Sequence, residues 1–267
     1  MNYIRKINQK FINDLLVGEL KELLAIIKND KALQLEIRNG YISVYYLGGN
    51  LLKVTQKAKS YRFEFDLRYC FDENDKRVVE QVKTDNNWVK NIPTLKIIMT
   101  KWHNAKYDKQ ERKIQQNFCR DNMASDSHYF VIDMEYQTGK ESRVDMLGLS
   151  RNGEKINIVL IELKQGYNSI SGKAGLKKHY LDLTRLIKNC STDLTETVRN
   201  IYANKVALGL IPDCYDLSKR MDFEILFVLY DYNDKSIQFE RALNEIRELN
   251  ENISFACQKI PKGIFTL

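Results

Sequence analysis

The chain lacks any closely spaced pair of cysteines. Cys70, Cys119, Cys190, Cys214 and Cys257 are scattered and odd in number, and three histidines in 267 residues are too few to complete most metal sites. These shortages argue against structural zinc and against a disulfide framework, and they point to a reducing, cytoplasmic setting. An uninterrupted apolar run is missing near the N-terminus. The stretch FINDLLVGELKELLAIIK carries Asp14, Glu19, Lys21 and Glu22, so it reads as neither a signal peptide nor a membrane span. No internal repeat or low-complexity tract is visible.

What the chain does have is length and positive charge. Its 267 residues suffice for one large domain or two small ones. The 42 Lys and Arg against 35 Asp and Glu leave +7 and a pI near 9.0, which makes polyanions candidate partners. Ile12, Leu16, Leu20, Leu23 and Ile27 recur at helical spacing and predict one amphipathic N-terminal helix. Four strand-like runs follow, ALQLEIR, YISVYY, LLKVT and YRFEFDL, with turns expected at Asn39-Gly40 and Gly48-Gly49-Asn50. The polar segment from Asp72 to Asn91 breaks this pattern and suggests a boundary. Residues 1–90 are therefore read as a helix plus an antiparallel β-meander, and residues 91–267 as a second domain.

In the second domain, Ile92-Pro93 suits the entry to a helix running towards Phe118. Then come YFVIDMEYQT, RVDMLGL and INIVLIELK as strands, a helix with Leu176, Tyr180, Leu183 and Ile187 on one face, the buried strand FEILFVLYD, a helix near 239–249 and a last strand near 253–258. The joins between the first three strands are expected at Thr138-Gly139-Lys140 and Arg151-Asn152-Gly153. The class is mixed α/β.

Three Glu-x-Lys triplets occur: Glu19-Leu20-Lys21, Glu111-Arg112-Lys113 and Glu162-Leu163-Lys164. The first two fall on predicted helices, where positions two apart diverge. The third ends an apolar strand, where they share a face. Ions at the end of a buried strand cost several kcal/mol each unless partnered, so the third triplet demands an explanation. Asp145 lies seventeen residues earlier on the preceding strand, and an antiparallel pairing would set it beside Glu162. Two converging carboxylates suit a hard divalent cation, Mg²⁺ or Mn²⁺, with the Leu163 carbonyl as a further ligand. Lys164 would then stand where it can orient an attacking water or neutralise charge on a phosphorane-like transition state.

With Asp145, Glu162-Leu163-Lys164 and the order helix, three strands, helix, strand, residues 93–235 resemble the PD-(D/E)XK nuclease superfamily. The resemblance implies a restriction-endonuclease-like core, with Asp145 and Glu162 binding Mg²⁺ and Lys164 assisting the water. The proline of the motif is absent, since Val144 precedes Asp145. The resemblance also makes Glu111 a candidate acidic residue on the first core helix, with a solvated helix charge as the alternative. Gln165 and Tyr180 resemble the glutamine and tyrosine of some exonuclease-like branches, although Tyr180 also fits a core position and His179 reads as an exposed helix residue. Asp133 and Glu135 share a strand face and read as surface charges or as groups near the metal.

Between Lys164 and Lys188 stand six Lys and Arg against one acid, Asp182, a local +5 that includes Lys173, Lys177 and Lys178. A basic helix beside a metal site suits a phosphate backbone. The expectation is a Mg²⁺-dependent nuclease acting on DNA rather than RNA, in defence, restriction or repair, with no membrane partner. The alternatives are an inactive nucleic-acid-binding module on the same fold and a structural Lys-Glu pair. The tyrosine-rich strand YISVYY of the meander reads as core packing, with base stacking or an interface to a homodimer or partner protein as the alternatives.

Overall fold

The computed structural model describes residues 4–105, 110–137, 143–165, 170, 172, 175–232, 237–249 and 251–267. Its class is mixed α/β, with a four-stranded antiparallel sheet, a five-stranded mixed sheet and seven α-helices among the described residues. The chain divides into two compact units, one built from residues 5–116 and 204–210, the other mainly from residues 117–203 and 211–267.

The first unit opens with two helices, α1 (Gln9–Leu16) and α2 (Lys21–Asn29). The single N-terminal helix expected from the apolar spacing is corrected: the chain leaves helical geometry at Val17. A Cβ at Gly18 would fall 2.7 Å from the Asp14 Cα, so glycine lets the chain turn tightly there. The apolar spacing survives because both helices bury the same kind of face, Phe11, Ile12 and Leu15 in one, Leu23, Leu24 and Ile27 in the other.

Strands β1 (Leu33–Ile37), β2 (Tyr41–Tyr46), β3 (Gly49–Gln56) and β4 (Tyr61–Glu64) form an antiparallel meander in sequence order. The β2–β3 turn lies one residue earlier than expected, on Leu47 and Gly48 at φ 49° and 76°. Both central residues are left-handed, the geometry that matches strand twist in a two-residue hairpin. The Gly48 N–H donates to Gln116 Oε1 at 2.6 Å, and a Cβ there would strike the Arg112 and Lys113 backbone.

The polar segment after the meander is not a linker. Asp72 accepts from the Asp75 N–H at 2.8 Å and starts α3 (Glu73–Thr84), which buries only Asp75, Val79 and Val82. So narrow an apolar stripe leaves little periodicity to read. The helix predicted from Ile92 to Phe118 is likewise two, α4 (Ile92–Ala105) and α5 (Gln110–Asp121).

In the second unit, β5 (Tyr129–Tyr136), β6 (Val144–Asn152), β7 (Lys155–Gln165), β8 (Asp222–Tyr230) and β9 (Ser254–Ile260) lie side by side in sequence order. β5–β6 and β6–β7 pair antiparallel, while β7–β8 and β8–β9 pair parallel. Parallel neighbours need crossover connections. These are supplied by α6 (Leu176–Ala207), kinked at Cys190, and α7 (Ile237–Arg247). The predicted turn at Thr138-Gly139-Lys140 lies outside the described residues.

β7 is therefore the strand where antiparallel pairing gives way to parallel pairing. Ile158, Val159, Leu160 and Ile161 are all fully buried, as a strand covered on both faces requires. Leu176, Tyr180, Leu183 and Ile187 of α6 are buried too, as their shared helical face predicts. All five cysteines are free thiols.

Candidate active site

The C-terminal end of β7 carries the charged triplet. Register pairs Met146 with Ile161, so Asp145 on β6 and Glu162 on β7 stand one step beyond that pair, facing each other across the ladder. Directly opposed residues leave the sheet on the same side, as do positions two apart on one strand. Asp145, Glu162 and Lys164 therefore share a face. Their relative exposures are 4 %, 4 % and 8 %, so three ionisable side chains on one face of the sheet are almost fully buried.

Each ion has a partner. Lys164 Nζ donates to Glu162 Oε1 at 3.0 Å, and Asp145 Oδ2 accepts from the Leu163 N–H at 2.9 Å. A second donor reaches the same Glu162 oxygen: His179 Nδ1, in the first turn of α6, lies 2.9 Å away. Burial pushes the Glu162 carboxyl up, but the hydrogen bond from His179 and the charge of Lys164 outweigh it and hold it below the usual glutamate range. The group is an ionised carboxylate, so the imidazole is the donor. Glu162 Oε2 is buried with no hydrogen-bond partner.

His179 is the residue that sequence reading missed. Helical spacing alone makes it an exposed position, whereas its side chain is only 25 % exposed and touches Glu162. The signal available was its place one residue before Tyr180, close after the triplet, but the contact depends on where α6 lands. Tyr180 itself is buried, its hydroxyl donates to the Ile253 carbonyl at 2.7 Å and its ring lies 5.6 Å from Phe255. That is a core position, not a surface for a nucleic acid.

Asp133 pairs with Leu147, which pairs with Leu160, so its side chain leaves the sheet on the face of Asp145 and Glu162. It is fully buried, which overturns the surface-charge reading. Glu135 takes φ 53°, departs from the strand alternation and pairs with Arg143 at 3.5 Å. Glu111 is exposed in the first turn of α5, accepts from Gln115 at 3.3 Å and belongs to the first compact unit. Gln165 is exposed at the end of β7, and Lys173 lies outside the described residues.

Lys177 and Lys178 are exposed, and with Asp182 and Arg185 of α6 they line a cleft of about 650 Å³ whose other wall includes Arg241 and Glu245 of α7. Asp182 pairs with Lys178 and, at 3.7 Å, with Arg185, while Glu245 pairs with Arg241 at 3.6 Å. Among the described lining residues, four cations face two carboxylates, a net positive balance.

Among the described residues no group of three or more His, Cys, Asp or Glu side chains is gathered as a metal cluster. Asp145 and Glu162, with backbone oxygen and water, would offer a cation at the end of β7 the oxygen ligands that Mg²⁺ favours over zinc. The unpartnered Glu162 oxygen fits that role. Among the described residues no helix is long and apolar enough to cross a membrane. Compared with protein-family models, curated proteins and solved structures, the chain matches none.

Proposed function

We propose that the protein is a divalent-metal-dependent nuclease with a restriction-endonuclease-like core, hydrolysing phosphodiester bonds of DNA in defence, restriction or repair. The observation that carries this reading is the end of β7: two opposed, buried carboxylates and a buried lysine on one face, with Glu162 Oε2 unpartnered. A stability-driven design would not retain this, because replacing buried ions with apolar residues of similar volume is often neutral or stabilising.

Asp145 and Glu162, with the Leu163 carbonyl, would hold Mg²⁺ or Mn²⁺. When bound, such a cation supplies Lewis-acid stabilisation of charge on phosphoryl oxygens. Lys164, held by Glu162, keeps an ammonium next to the reacting phosphate, where it orients the attacking water and offsets charge as the phosphorus becomes pentacoordinate. The net positive cleft between α6 and α7 holds the backbone of the strand, with Lys177 and Lys178 as non-specific phosphate contacts.

The test is incubation of supercoiled plasmid, linear duplex and single-stranded DNA with the protein in Mg²⁺ and in EDTA. Metal-dependent products are expected. DNA binding without products in Mg²⁺ or Mn²⁺ would instead favour an inactive binding module.

A further inference from the structure

We infer that His179 is a positioning residue for Glu162, fixing the carboxylate so that Oε2 is presented to a cation. The inference rests on the nuclease reading above and adds to it a residue outside the triplet.

The two oxygens of Glu162 are treated unequally. Oε1 takes both donors, Lys164 Nζ at 3.0 Å and His179 Nδ1 at 2.9 Å, while Oε2 is buried and takes none. A carboxylate held only by a flexible lysine two residues along its own strand keeps freedom about its terminal torsion. A donor from a second element, at a different angle, removes that freedom.

The imidazole is suited to this because its backbone is anchored. The next residue, Tyr180, is locked by its hydroxyl bond to the Ile253 carbonyl, and Leu176 and Leu183 on the same helix are buried. The position of the His179 ring is thereby set by the core of the second unit. The opposing carboxylate is anchored too: the Leu163 N–H donates to Asp145 Oδ2 at 2.9 Å. Hydrogen-bond partners of this kind typically set metal affinity by about 10–100-fold, because they pre-orient the ligand.

Calorimetric titration of Mn²⁺ into wild type, Glu162→Ala, His179→Ala and His179→Asn at one fixed pH tests this, with melting temperatures recorded in EDTA. His179→Ala should weaken binding by about 10–100-fold. His179→Asn, whose amide N–H replaces the imidazole donor, should recover most of it, a pattern that lost folding stability alone does not produce. Wild-type affinity in His179→Ala overturns the inference. If that variant does not fold, His179→Leu fills the space without a donor, and equal affinities for the Leu and Asn variants overturn it. Failure of the underlying reading looks different: wild type binds no cation, or Glu162→Ala binds as well as wild type, and both proposals fall together.

Discussion

Lys164 and Glu162 are 8 % and 4 % exposed directly after the apolar run Ile158 to Ile161 of β7, and each survives there through a partner. Removing the lysine leaves Glu162 and Asp145 as neighbouring anions, with His179 the remaining donor to Glu162. Lys164→Ala should therefore lower single-turnover cleavage by about two to four powers of ten, as loss of an electrostatic or acid-base group does. In EDTA the same variant should lose on the order of 3 kcal/mol of stability, and Mg²⁺ should restore more of it than in wild type. A stable, fully active Lys164→Ala protein would refute the role. A second expectation concerns pH. The Glu162 carboxyl is depressed from its ordinary value of 4.5, so it contributes stability above that pH and loses it as the pH falls through the lower folded value. Glu162→Gln has nothing to protonate, and its melting temperature should fall less steeply than wild type as the pH drops below 4.5. Equal slopes would place the carboxyl at an unperturbed value.

Elements with strong periodicity were legible in the sequence. The four strands of the meander and the five of the mixed sheet follow from alternating or buried apolar runs, and the first part of α6 follows from Leu176, Tyr180, Leu183 and Ile187, whereas these four positions do not reach its continuation past Cys190 to Ala207. Helix breaks were not legible, because α1 and α2 keep compatible apolar spacing across Gly18. α3 was hidden by its three-residue buried stripe. At the site, Asp145, Glu162 and Lys164 could be placed together because strand register and period two bring them to one face. His179 could not, since its contact joins a helix to a strand and no local pattern encodes it. The basic turns of α6 give a test at this scale. Lys177→Ala with Lys178→Ala should weaken DNA binding across unrelated sequences and reduce the slope of log K against log salt by about 0.9 for each lost phosphate contact. Measuring binding between low and moderate salt checks it, and an unchanged slope would assign both lysines to a solvated helix face.

At the scale of the whole molecule, the net charge of +7 favours long-range attraction to polyanions but says nothing of the chemistry performed. Long-range order also rests on contacts invisible in sequence. Lys205, near the end of α6, donates at 2.8 Å to Glu36 of β1, and the pair is fully enclosed within the first unit although 169 residues separate its members. The second unit combines a strand-end carboxylate pair, a lysine and a positive cleft, and the nuclease reading stands or falls on whether they act together on one phosphate. The most direct measurement is single-turnover cleavage of a labelled duplex in Mg²⁺ by wild type, Asp145→Ala and Glu162→Ala, with binding to the same duplex followed in EDTA. The account predicts cleavage by wild type only and retained binding by all three, because each substitution removes a metal ligand and not a phosphate contact. Undiminished cleavage by both folded variants would contradict it.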